Sequence, residues 1–312
     1  MRSKGSHKRR GGNYGFRIVL SALAAACLGR AVATNAQPLL PSPVGPIGPI
    51  GPTGPIGKTV PPFITRTGNQ QKDDFIKPSR PTEAEPADIQ KVGVLQLEFG
   101  LDASFDAEEF RNQQTTPLRL RFAAARRLLL AFQIEVVKSQ VDPTGRRMTG
   151  VGDVEPGLQV VTFIETDRRP AIAFAYFSKL PSASVEKGLG SGRTDHRAVL
   201  LVSKNLGGFN LDFNAAYLNV GRKDNARRAD GGLGAIALSY KFGSHFGVAA
   251  ELAGQSLEYT LPRGLYPLGA VTYKVNRRLR FDAGLRFGVG AEAPRVSVVA
   301  GFTVGVDDLY GK

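Results

Sequence analysis

The chain has 312 residues, of which 42% are hydrophobic, with no tryptophan, one cysteine and a formal net charge of +14. One cysteine excludes a disulfide framework and a thiolate metal site, and no apolar run reaches the roughly 20 residues that a membrane-spanning helix needs. The first 36 residues hold seven Lys and Arg and no acid, so the remainder carries only +7 and no lysine-rich patch that would point to nucleic acid.

In chain order, Arg2, Lys4, Lys8, Arg9 and Arg10 precede an apolar stretch from Phe16 to Gly29. Ala31-Val32-Ala33 then offers a small-x-small cleavage site, with a second after Ala36. Residues 1–36 therefore read as a signal peptide for export, which would carry Cys27 away with it. Residues 38–87 hold 12 of the 20 prolines, and Gly45–Ile56 is a run of four Gly-Pro-x triplets. So few triplets suit a stiff polyproline-like spacer better than a collagen triple helix. The polar residues that follow show no apolar periodicity, so 37–90 is predicted as a Pro/Gly-rich disordered linker.

From about residue 91 to 312 the pattern changes to short segments that alternate apolar and polar residues. Phe209-Asn210-Leu211-Asp212-Phe213-Asn214-Ala215 is the clearest, and 279–289, 296–306, 130–136 and 171–177 behave alike. Side chains of a strand point to opposite faces with period two, so each segment has one apolar and one wet face. At 171–177 the second face is Ala171, Ala173 and Ala175, small enough for a crowded interior. Leu118–Leu130 is read as a hairpin because Leu118, Leu120 and Phe122 alternate with Arg119 and Arg121. Pro156 is taken to delay the fourth strand to about Gly157.

Long polar gaps are predicted near 105–116, 141–149, 181–195, 221–231, 258–267 and 290–294, and short turns near 123–127, 166–169, 205–208, 243–245 and 276–277. Alternation of long and short connections joining about twelve strands is the signature of an all-β, antiparallel transmembrane β-barrel. Both termini of such a barrel fall on the side of the short turns. Tyr217, Tyr240, Phe242, Tyr273, Phe281, Phe287 and Phe302 are candidates for its aromatic girdles, though the tail Asp307–Lys312 departs from the terminal aromatic usual in such proteins.

Several motifs then resemble a known family. Thr149-Gly150-Val151-Gly152-Asp153, Lys179-Leu180-Pro181-Ser182 and Gly188-Leu189-Gly190-Ser191-Gly192-x-x-Asp195 occur in that order. Leu95–Gly100 and Leu128–Val136 look like opening strands of the same family. Across residues 92–306 the chain resembles the outer-membrane transporters grouped as the phenol-degradation MetA-pathway family. It departs at Ser182, where threonine is usual, and at Leu158-Gln159-Val160, where a more charged strand is usual. The resemblance marks Gly150, Gly152, Asp153, Lys179, Pro181, Gly188, Gly190, Gly192 and Asp195 as family loops. It implies a role near aromatic catabolism without naming a substrate.

The functional expectation is a porin-like channel or transporter of the bacterial outer membrane for small solutes, hydrophobic or aromatic ones included. Its partners are outer-membrane lipid and the solute, with no nucleic acid and no cofactor. The polar faces make Gln133, Glu135, Asn210, Asp212, Asn214, Lys241, Glu251, Arg280, Asp282 and Arg286 candidates for lining the lumen. Both charge signs are present, so no strong ion filter is expected. The alternatives are a barrel sealed by its own ion pairs and a soluble exported β-sandwich. A hydrolase would need His196 to work with Asp195 and Ser191 or Ser203, but no signature orders them, and the chain is read as no enzyme. No carboxylate or histidine cluster has metal-ligand spacing.

Overall fold

The computed structural model describes residues 75–222 and 225–310, with 225 and 226 described in their backbone only. The predicted signal peptide with Cys27 and the Gly-Pro-x part of the predicted linker lie outside the described residues. The strands are β1 (Val94–Phe105), β2 (Asn112–Ala125), β3 (Leu128–Val141), β4 (Arg147–Gly150), β5 (Val154–Phe163), β6 (Ala171–Lys179), β7 (Asp195–Leu206), β8 (Phe209–Arg222), β9 (Asn225–Phe242), β10 (Phe246–Gln255), β11 (Gly264–Lys274), β12 (Leu279–Phe287) and β13 (Val296–Asp308).

All pairings are antiparallel. β4 and β5 both pair with β3 and form one barrel strand interrupted at Val151–Asp153, so thirteen segments make a twelve-stranded wall. The wall closes where β1 meets β13, from Val94 opposite Asp308 to Phe105 opposite Val296. Closure removes the sheet edges and excludes the β-sandwich reading. Tyr310 caps the seam, its ring edge-on to Phe122 at 5.8 Å and its hydroxyl donating to the Ala124 carbonyl at 3.2 Å.

One end of the barrel carries the short turns and the start of β1; the other carries the longer loops. Two expectations need correction. The gap predicted at 221–231 is largely paired backbone, with Leu218 opposite Gly231, Asn219 opposite Asp230 and Gly221 opposite Arg228. Polar cross-strand bonds hold this hairpin extension, among them Asn219 Nδ2 and Tyr217 Oη donating to Asp230 at 2.7 and 2.5 Å. Pro156 does not delay its strand, which starts at Val154. Proline needs only one side without a ladder, and Pro156 pairs with Phe132 of β3 while the β5–β6 register begins at Gly157.

The outer face explains what surrounds the barrel. Phe174, Leu252, Val271, Phe281 and Phe287 are each 46–55% exposed, although their strand neighbours inside are buried. Apolar side chains in such a band belong in lipid, flanked by aromatics at the interfaces. Toward the short-turn end, the Tyr240 ring lies 4.7 Å from a tilted Phe209 and 4.8 Å from an edge-on Phe242, and Phe246 lies 4.9 Å from Tyr273. Toward the other end stand Tyr176, Tyr217 and Phe287. No helix among the described residues is long and apolar enough to cross a membrane.

Candidate functional site

The inner wall is two-sided. β12, β13, β1, β2 and β3 turn Asp282, Arg286, Ser297, Thr303, Gln96, Glu98, Arg119, Arg121 and Gln133 inward. β6 to β11 turn in mainly Ala171, Ala173, Ala175, Leu201, Ala216, Leu218, Leu233, Ala235, Ala237, Ala253 and Tyr266. Against this wall lies a segment of the chain itself. Residues 75–90, placed in the predicted disordered linker by their lack of apolar periodicity, are folded inside the barrel, and the linker reading is corrected for them. The wall holds them through backbone groups and charges, contacts that leave no hydrophobic period to read.

The segment enters at the short-turn end. Phe75 and Ile76 pack with Val94, and Arg278 lies over the Phe75 ring at 4.5 Å. Lys77 and Asp88 join across the neck of the loop at 2.7 Å. Inside, Lys77 N–H donates to Gln96 Oε1 at 2.7 Å, and Gln96 Nε2 returns a bond to the Lys77 carbonyl at 3.0 Å. Ser79 donates its N–H and its hydroxyl to the two oxygens of Glu98 at 3.0 and 2.7 Å. Glu98 also faces Arg121 at 3.5 Å, both side chains 1% exposed. Arg80 reaches Asp282 at 3.4 Å and the Ala300 carbonyl at 3.1 Å. A Cβ on Gly301 would stand 2.7 Å from the Arg80 Nε and 2.5 Å from the Phe99 carbonyl, so only glycine admits this guanidinium.

Deeper in the lumen, the Glu83 and Ala84 N–H groups donate to the Glu251 carboxylate at 3.0 and 2.9 Å. Glu83 meets Arg286 at 3.3 Å, and Glu85 meets Arg119 at 3.2 Å. Asn214 Nδ2 donates to the Glu85 carbonyl at 3.1 Å, Gln159 Nε2 to the Ala87 carbonyl at 2.9 Å, and Ala87 N–H to Ser203 Oγ at 2.8 Å. Ala84 and Ala87 complete the apolar cluster of β6 to β11. Beside Glu83 and Glu85 only about 10 Å³ of cavity remains, close to the least that one water molecule needs.

All ten residues predicted for the lumen stand at inward-facing strand positions. Asn214, Glu251, Asp282 and Arg286 bind this segment, the plug, directly. Gln133 accepts from Arg119 Nε at 2.8 Å. Asn210 donates to Asp212 at 2.6 Å, and Asp212 accepts from Ser203. Glu135 lies 3.8 Å from Lys138, while Lys241 and Arg280 stand toward the short-turn end, Lys241 exposed and Arg280 half-buried. Sequence reasoning missed Gln96, Glu98, Arg119, Arg121, Gln159 and Arg197. The alternation at 95–99 and 118–122 already placed four of them on a common face with the polar set.

The family-motif loops gather at the long-loop end. Gly152 N–H donates to the Glu135 carbonyl at 2.9 Å, and Asp153 accepts from Ala183 N–H at 2.9 Å. Gly188 and Gly192 have φ of 67° and 71°, and Gly190 packs beside Asp153 and Ala183. Leu189 folds beneath, against Gly150, while Pro181 stays exposed. Lys179 pairs with buried Asp195 at 2.9 Å, which also accepts from Gly221 N–H at 2.8 Å. Ser182, the departure from threonine, uses its hydroxyl to accept from Val154 N–H at 2.9 Å, a role either residue fills. The hydrolase constellation is not assembled. His196 shares a hydrogen bond with Tyr176 at 2.7 Å on the outer face, whereas Asp195 and Ser203 point inward.

Residues 79–304 match the profile of the family described as "Putative MetA-pathway of phenol degradation". No curated protein matches the chain. Among solved structures, an outer membrane channel from Pseudomonas putida F1 is similar, with a TM-score of 0.56, 11% identity, and coverage of 72% of this chain and 98% of that one. Outer membrane phospholipase A from Escherichia coli gives a TM-score of 0.43 at 12% identity, covering 79% of this chain and 100% of that one. The NanC porin gives 0.45 at 11% identity, covering 68% and 99%. The Pseudomonas likeness extends to the fold.

Proposed function

The chain belongs to the MetA-pathway of phenol degradation family, and from that membership we propose that it is a gated outer-membrane channel for small solutes, hydrophobic and aromatic ones among them. The supporting observation is where the filling of the lumen comes from. A sealed barrel fills its interior with its own long side chains. Here six adjacent strands present mostly short or apolar residues inward, and the space they leave is taken by residues 75–90, which belong to no strand. A segment attached at one end of the barrel is a device that can withdraw. The apolar half of the wall then offers a path to an uncharged solute, and the polar half offers hydrogen bonds along the way.

The same reading includes a signal peptide over 1–36, a linker ahead of the plug, and no catalytic step. Single-channel recording in planar bilayers tests it, comparing the full chain with Arg80→Ala, which releases the plug from Asp282 and the Ala300 carbonyl. The expected result is brief, infrequent openings of the unaltered chain, longer openings of the variant, and transient block of the open current by benzyl alcohol. Absence of conductance from both proteins would leave the sealed barrel.

A further inference from the structure

Glu85 sits among arginines that it satisfies unevenly. Its Oε1 is 3.2 Å from Arg119 Nη1 but 3.8 Å from Arg197 Nη2, which in turn stands 3.6 Å from Glu155 Oε2. The last two distances exceed hydrogen-bond reach. The Nε and Nη2 of Arg197 are buried and make no hydrogen bond, in a side chain only 5% exposed. These two nitrogens form the edge of the guanidinium fork that meets a carboxylate through two parallel bonds.

The surroundings of Arg197 are apolar and aromatic. Its guanidinium lies 4.2 Å over the Phe177 ring and 5.5 Å from the Tyr259 ring. Phe177, Val199, Leu201 and Leu233 line the small cavity beside it, with Glu83 and Glu85 of the plug closing the other side. This combination suits an amphiphile with a carboxylate at one end and a flat apolar body. Resting on the channel reading above, we propose that Arg197 and Arg119 bind the carboxylate of a small aromatic acid, and that Glu85 stands in for it while the plug is seated. The ring would take the space now held by Ala84, Glu85 and Ala87, against the alanines of β6. Solute and plug then exclude one another, so the permeant acid favours the open state by its differential affinity for it.

Calorimetric titration of the purified full chain in detergent tests this, with benzoate as probe and benzyl alcohol as its uncharged counterpart. Benzoate should bind Glu85→Gln about tenfold more tightly than the unaltered chain, because the competing carboxylate is gone. Benzyl alcohol gains only from the loosened plug and should tighten clearly less than benzoate. Adding Arg197→Gln should erase the benzoate gain in a barrel that still shifts on heating; where that variant fails to fold, Arg119→Gln in the Glu85→Gln background should erase most of it. Equal benzoate affinity with and without Glu85, or benzoate no tighter than benzyl alcohol in Glu85→Gln, overturns the proposal. Recording currents from the same preparations separates the two readings. Benzoate binding to a chain that never conducts keeps the site and removes the channel, and conduction with no benzoate binding does the reverse.

Discussion

The two halves of the inner wall do different work on the same plug. On β12, β13 and β1 to β3, the contacts are directed: Glu98 holds Ser79 and faces Arg121, Asp282 holds Arg80, and Arg119 holds Glu85. On β6 to β11, alanines and leucines surround Ala84 and Ala87, and the polar anchors are few, chiefly Asn214, Ser203 and Glu251. Directed bonds fix the register of a chain, since each has one partner at one distance. Alanine walls give room and fix little. The polar half therefore sets where the plug sits, and on the channel reading the apolar half would set how much volume opens were it to leave.

Glu98→Ala attacks the polar half at its centre. It removes the carboxylate facing Arg121, whose side chain is 1% exposed and keeps only its bond to the Lys77 carbonyl, and a buried charge left without a counter-charge costs about 3–5 kcal/mol. Urea unfolding followed by heat-shift gels should show that loss, and a change below about 1 kcal/mol would mean that the pair is not what holds this wall. Phe213→Asp tests the outer face, where Phe213 is 41% exposed. A charge at lipid depth costs about 2–4 kcal/mol, whereas Gln133→Glu, inside the lumen where the side chain already accepts from Arg119, should lower folding yield far less. Equal yields would reverse the assignment of faces.

Ala173→Leu overfills the apolar half. Packing against Ala84 and Ala87 should lose about 1–3 kcal/mol, and channel openings should lengthen because the plug is the element that gives way. Shortened openings would show the wall moving instead. The neck is the mildest target. Lys77 and Asp88 are 17% and 16% exposed, and Lys77→Ala should cost up to about 1 kcal/mol, which raises the frequency of openings by roughly fivefold. Unchanged gating would place the latch deeper, at Glu98 and Asp282.

The barrel was legible because its strands obey period two against two different surroundings. Phe209–Ala215 and Leu279–Phe287 announce their faces residue by residue, and the positions of the loops follow from where that alternation lapses. The hairpin of Leu118–Leu130 could be read for the same reason, and Arg119 and Arg121 with it, but their partners Glu85 and Glu98 lie far away in sequence. The plug was not legible. Thr82–Asp88 has no apolar repeat, since it is held by its backbone N–H groups, its carbonyls and three carboxylates. From the sequence, such a stretch looks the same as a solvated linker. The paired extension near 218–231 was hidden likewise, because polar cross-strand partners read as loop.

On the proposed function, residues 75–90 are a plug that must move for solute to pass. Ala87 N–H lies 2.8 Å from Ser203 Oγ, which places the two residues for a lock. The direct measurement is single-channel conductance of an Ala87→Cys/Ser203→Cys chain in a Cys27→Ala background, recorded oxidised and then after a reducing agent is added. The expected result is silence while the disulfide holds and openings like those of the unaltered chain once it is reduced. Equal conductance before and after reduction, with the disulfide verified on a non-reducing gel, would contradict it.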